Sequence, residues 1–264
     1  MNRTKKQDWF TNYLSSKGFW VGGSAVQFNS KSEASALQTI RYFKSNRPEF
    51  LLVYILEFID PINRTNNYEE VIKYYESKLM FKPQFTLAIW PNQSMVFAVY
   101  ESGRLYKDLD TPKVLNWFRK YDPDLIGSTS YLKPLNKSFT DFFHLWARKH
   151  MKGFQNDIDA YKMRNNKVHM FELKRPKESS KTWKPYKADS SNYIQFSNLC
   201  RQMDWQLTNI AYNEKETGIL KIFNQVKIHN NTLQYNTSAI ELRLDQDVLE
   251  IINELKFVIE FSDR

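Results

Sequence analysis

Two rhythms of apolar residues run through this chain of 264 residues. Apolar positions three or four apart lay one stripe along a helix, and they predict helices over residues 8–16, 32–44, 68–80, 138–151, 190–203 and about 245–255. In the second of these the stripe is Ala34, Leu37 and Ile40 or Phe43. In the fourth it is Phe139, Phe142, Phe143 and Trp146, with Ser138 or Thr140 as cap. Thr111-Pro112 opens a further helix through Tyr121, because proline lacks an N–H that the first turn leaves unbonded anyway. Short apolar or alternating runs predict strands at 50–58, 84–90, 94–101, 206–214 and 218–228, followed by 232–244.

Residues 157–161 and 171–175 read as two more strands joined by a short polar turn. The resulting order is helix, strand, strand, helix, strand and more, which a mixed sheet flanked by helices would give, an α/β (α+β) fold. The stretch 122–137, with Gly127, Ser128 and Pro134, is the linker candidate. It divides an N-terminal α+β region, residues 1–127, from a domain of residues 128–264.

Composition adds bounds. A chain that is 42% hydrophobic can bury a substantial core, and its single cysteine, Cys200, excludes an intrachain disulfide and a multi-cysteine zinc cluster. The first residues lack an apolar signal core and the longest apolar run, near Phe50–Leu56, is too short to span a bilayer, so a cytoplasmic protein with no membrane partner is expected. A net charge of +9 favours a polyanionic partner, since lysines and arginines displace counterions condensed on phosphates.

The candidate chemistry lies in the strand pair. With Asn165-Asn166 as a two-residue primed turn, opposed residue numbers sum to a constant. Asp159 then faces Glu172 and Asp157 faces Lys174, all four on one side, while Ile158, Ala160, Phe171 and Leu173 form an apolar reverse. Like charges opposed across a ribbon repel unless something neutralises them, and Mg²⁺ would do so. Two other Glu-x-Lys triplets, at Glu76 and Glu254, fall in helical patterns where positions two apart diverge.

This constellation resembles the PD-(D/E)xK nuclease superfamily, with its restriction-endonuclease-like core. The resemblance covers about residues 138–228 and implies Asp159, Glu172 and Lys174 as catalytic residues, with Gln195 on the following helix. It implies Mg²⁺, with Mn²⁺ as substitute, held by Asp159, Glu172 and the Leu173 carbonyl. Asp157 competes with Asp159, and Ile158 stands where the family has proline. Asp141, on the preceding helix, is the nearest counterpart to an acid that the family often places there. The basic, aromatic-interleaved run after the triplet offers Arg175, Lys177, Lys181, Lys184 and Lys187 to phosphates and Trp183 to stacked bases.

Other chemistries fit less well. The four histidines show no zinc-protease spacing, and Gly22-Gly23-Ser24 lacks the Gly-Lys-Ser/Thr of a nucleotide loop, so no nucleotide cofactor is expected. The expectation is a Mg²⁺-dependent endonuclease of double-stranded DNA, of restriction or defence type and acting as a homodimer. The alternatives are a junction or RNA nuclease with the same centre, and a basic DNA-binding protein without chemistry.

Overall fold

The computed structural model describes residues 8–27, 35–59, 68–91, 96–127, 142–229 and 232–254. In chain order come α1 (Trp9–Ser16), β1 (Trp20–Val21), β2 (Ala25–Gln27), β3 (Ser35–Lys44), β4 (Leu51–Phe58), α2 (Tyr68–Glu76), β5 (Phe85–Trp90), β6 (Val96–Glu101), β7 (Arg104–Leu109), α3 (Thr111–Tyr121) and α4 (Phe142–His150). Then follow β8 (Phe154–Asp157), β9 (Ala160–Arg164), β10 (Lys167–Lys174), α5 (Ser190–Met203), β11 (Gln206–Tyr212), β12 (Ile219–His229), β13 (Thr232–Glu241) and α6 (Val248–Glu254). Two mixed sheets flanked by helices make this an α/β fold, as expected. Among the described residues, no helix is long and apolar enough to cross a membrane.

Two compact units divide the chain: residues 1–6 with 22–157, and residues 7–21 with 158–264. The second is therefore discontinuous, and the expected division at 127/128 falls inside the first. The reason is packing. On α4, Phe143, Trp146 and Ala147 share one core with Val53, Phe85 and Phe118, so this helix belongs with the strands before it.

In the first unit the sheet runs β2-β3-β4-β5-β6-β7, with β8 also paired to β3. All eight residues of β4 are buried, between antiparallel β3 and parallel β5. Residues 35–44, expected as helix, form strand β3 instead. Residues 36–43 are all buried, and a strand covered on both faces loses the period-two alternation that would reveal it. Near the end of β4 the buried Glu57 accepts the backbone N–H groups of Phe142 at 3.1 Å and Phe143 at 2.6 Å, satisfying the start of α4.

The second unit is a sheet in the order β1-β9-β10-β11-β12-β13. Asn165 and Asn166 both take positive φ, 52° and 60°, the requirement of the primed turn, and they join β9 to β10. The register matches the expected one, from Lys167 opposite Arg164 to Phe171 opposite Ala160. Through α5, β10 connects to parallel β11. One sheet face carries Ala160, Phe171 and Ile210 in a core with Phe10, Leu14 and Leu249 of the flanking helices, and the other packs Ala211 and Phe223 with Tyr193 and Trp183.

Candidate active site

The centre forms where the β9–β10 ladder runs out. Period-two alternation places Glu172 and Lys174 on the same side of β10, and the apolar neighbours Phe171 and Leu173 turn to the core behind. Asp159 precedes β9 and bonds across the ribbon end: its Oδ2 accepts the N–H of Leu173 at 2.8 Å. That bond brings its carboxyl into hydrogen-bonding contact with the carboxyl of Glu172. Lys174 Nζ lies 2.7 Å from Glu172 Oε1 and 3.9 Å from Asp189 Oδ2, over the ring of Tyr193 at 5.3 Å from its centroid.

Burial is the main force on Glu172, only 4% exposed, and pushes its carboxyl up to about 8. The Lys174 ammonium opposes that rise, and the neighbouring Asp159 carboxylate adds to it. Burial would lower Lys174, but the adjoining Glu172 carboxylate, with Tyr193 and Asp189, together outweigh it and the ammonium is held above its ordinary value. Burial and the neighbouring negative charge hold a proton on Glu172, and a hard cation can take that proton's place.

Not every expected residue arrives here. Asp157 belongs to β8, opposite Arg41 in the sheet of the first unit, so it does not stand across from Lys174. The ribbon stops at Ala160, and the chain leaves it before Asp157 is reached. The structure brings Tyr193, not Gln195, to Lys174. They stand two positions apart on α5, about 200° around the helix, so both cannot face the same ammonium. Gln195 is half-buried, its Oε1 wholly so and without a hydrogen-bond partner among the described residues. Asp141 lies outside the described residues.

The basic loop is held from below. Buried Asn213 donates its Nδ2 to the carbonyls of Pro176, Lys177 and Glu178 at 3.2, 3.1 and 2.8 Å. Lys221 donates to the carbonyls of Lys181 and Trp183, and Glu216 accepts from the N–H and hydroxyl of Ser180. Lys177, Lys184 and Lys187 are exposed, while Lys181 lies 3.7 Å from Glu241 in an exposed pair. Trp183 is buried at 3% exposure against Phe223 and Tyr186, so its ring is part of the core and presents no face to a base; the exposed ring of the loop is Tyr186. Arg175 turns to Asp8 at 3.2 Å, and Tyr212 donates to the same Asp8 oxygen at 2.7 Å.

Asp8, Tyr193 and Asp189 went unread in the sequence. Asp8 caps α1 in a capping box with Thr11, a signal the pattern carries, but nothing local ties it to Arg175.

Among the described residues, no three His, Cys, Asp or Glu side chains converge to hold a metal. The centre offers two carboxylates, which suits an ion that keeps waters and takes phosphate oxygens as its remaining ligands. Comparison with protein-family models, curated proteins and solved structures yields no significant match.

Proposed function

We propose that this protein is a metal-dependent nuclease that hydrolyses phosphodiester bonds in double-stranded DNA, with a PD-(D/E)xK centre in its second unit. One observation carries the reading: a buried glutamate touches an aspartate on one side and a lysine 2.7 Å away on the other, at the end of a two-stranded ribbon. The order of α1, β1, β9, β10, α5 and β11, with β10 and β11 parallel, also supports it.

Mg²⁺, or Mn²⁺ in its stead, would be held by Asp159, Glu172 and the Leu173 carbonyl and would supply charge for the phosphoryl oxygens and an acidified water. The rest is the work of side chains. The N–H of Leu173 fixes one Asp159 oxygen and so holds that carboxyl beside Glu172. Lys174, with both neighbouring acids buried or half-buried, holds its proton and orients the attacking water against the phosphate. Lys177, Lys184 and Lys187, on a loop fixed by Asn213 and Lys221, would position the strand by its phosphates. The first unit would supply target recognition or dimer contacts, and two copies would cut two strands.

The test is incubation of the purified chain with plasmid DNA, synthetic four-way junctions and RNA, with Mg²⁺, with Mn²⁺ and with EDTA, followed by end-mapping. Metal-dependent products that vanish in Glu172→Gln and Lys174→Ala are expected. Cleavage that survives both substitutions would reject the centre, and binding without cleavage would favour a DNA-binding role alone.

A further inference from the structure

Lys174 has two acids within ion-pair range, and they differ in what else they do. Glu172 is the nearer, yet on the reading above its carboxylate goes to the cation and its hold on the ammonium weakens. Asp189 is the farther, at 3.9 Å, and is half-buried at the entrance to α5. An aspartate at an N-cap ordinarily folds its carboxylate back on the N–H groups of the first turn. Asp189 does not: it occupies the N-cap with φ −95° and ψ 3° and makes no side-chain capping bond. Its carboxylate turns to Lys174 instead. One helical turn on, Tyr193 is fully buried, lays its ring beneath the same ammonium, and has a hydroxyl with no hydrogen-bond partner among the described residues. Positions four apart share a helix face, so the acid and the ring act on one point.

We propose that Asp189 and the Tyr193 ring form a second seat for the Lys174 ammonium, which keeps it aimed at the reaction when Glu172 is engaged by a cation. Asp189 is thus a positioning residue, acting through Lys174. The inference takes its purpose from the nuclease reading, but its decisive test needs no metal.

Glu172→Gln removes the first partner's capacity to carry a charge at nearly constant shape. In protein carrying ¹⁵N-lysine, the Lys174 ammonium signal, identified by its loss in Lys174→Arg, is followed by NMR for hydrogen exchange with water. In Glu172→Gln it should stay protected. In Glu172→Gln/Asp189→Asn, exchange should be about tenfold faster, and Glu172→Gln/Asp189→Glu should recover protection. Equal exchange in Glu172→Gln with and without Asp189→Asn would overturn the proposal. Thermal melts of each variant separate this outcome from unfolding, since Asn and Gln are near-isosteric replacements. In turnover on a cleavable DNA, Asp189→Asn alone should lower kcat about tenfold with KM unchanged, and Asp189→Glu should rescue it. If the wild type shows neither Mg²⁺-dependent cleavage nor a Mg²⁺-dependent shift of this signal, the nuclease reading fails, while the exchange comparison still decides the seat.

Discussion

Glu57 and Glu172 are two glutamates near the ends of interior strands, one in each unit, and each is 4% exposed. Their partners set them apart. Glu57 accepts two backbone N–H groups at the start of α4, groups that cannot leave while the helix exists. Glu172 has an ammonium on one side and a second carboxyl on the other, an arrangement that a proton or a cation can rebalance. Burial of a charge is therefore no mark of function by itself. A buried carboxylate whose partners are exchangeable is the kind that chemistry can use.

The sharpest way to break this comparison is substitution at Glu172. Glu172→Gln should lower DNA hydrolysis about 10³-fold, some 4 kcal/mol of barrier, in a Mg²⁺-supported assay, and change the folding stability of the metal-free protein by less than about 1 kcal/mol at neutral pH. Glu57→Ala should do the reverse: a loss of about 3 kcal/mol in denaturant titration, because two charge-assisted hydrogen bonds go at once, with turnover per folded molecule kept. Similar profiles from the two variants would remove the distinction.

A smaller effect sharpens it in pH. The Glu172 carboxyl is raised from 4.5 to about 8, so the folded state binds its proton more tightly than the unfolded chain does. Its contribution to stability is whole below pH 4.5 and is lost as pH rises through about 8, in metal-free protein. Denaturation curves across that window should decline for the wild type and flatten in Glu172→Gln. Addition of Mg²⁺ should restore the wild type most at the alkaline end, where no proton competes. The mildest change expected is at the loop: Lys184→Ala should weaken DNA binding modestly and reduce the slope of log K against log salt by about one.

The ribbon was legible because its determinants are local. Two asparagines able to take positive φ fixed the turn, and the turn fixed every cross-strand neighbour as far as Ala160 and Phe171. Beyond that point locality ends. Asp157 and Asp159 look equivalent in sequence, yet Asp157 pairs with Arg41, more than a hundred residues earlier, and no nearby residue announces it. The stretch containing β3 failed for another reason: Leu37, Ile40 and Phe43 repeat every three positions, and a strand buried on both faces imposes no alternation to contradict a helix. Trp183 looked like a stacking platform among lysines, but a large ring beside a sheet is drawn into its core whatever the charge around it. Tyr193 and Asp189 meet Lys174 only through the crossover from β10 by α5, a tertiary fact with no short-range signal.

Trp20 and Val21 pair with Tyr161 and Ala160, so the chain leaves this sheet and re-enters it at neighbouring points after residues 22–157 have been made. During synthesis the opening helix and its two-residue strand must wait, unpaired, for more than half of the chain to emerge. The long loop costs only logarithmically in entropy, but it sets a sequence of events in which the first unit can collapse early and the centre at Glu172 assembles late. A site that depends on the last-folded sheet would stay unassembled in any product truncated before that sheet is complete.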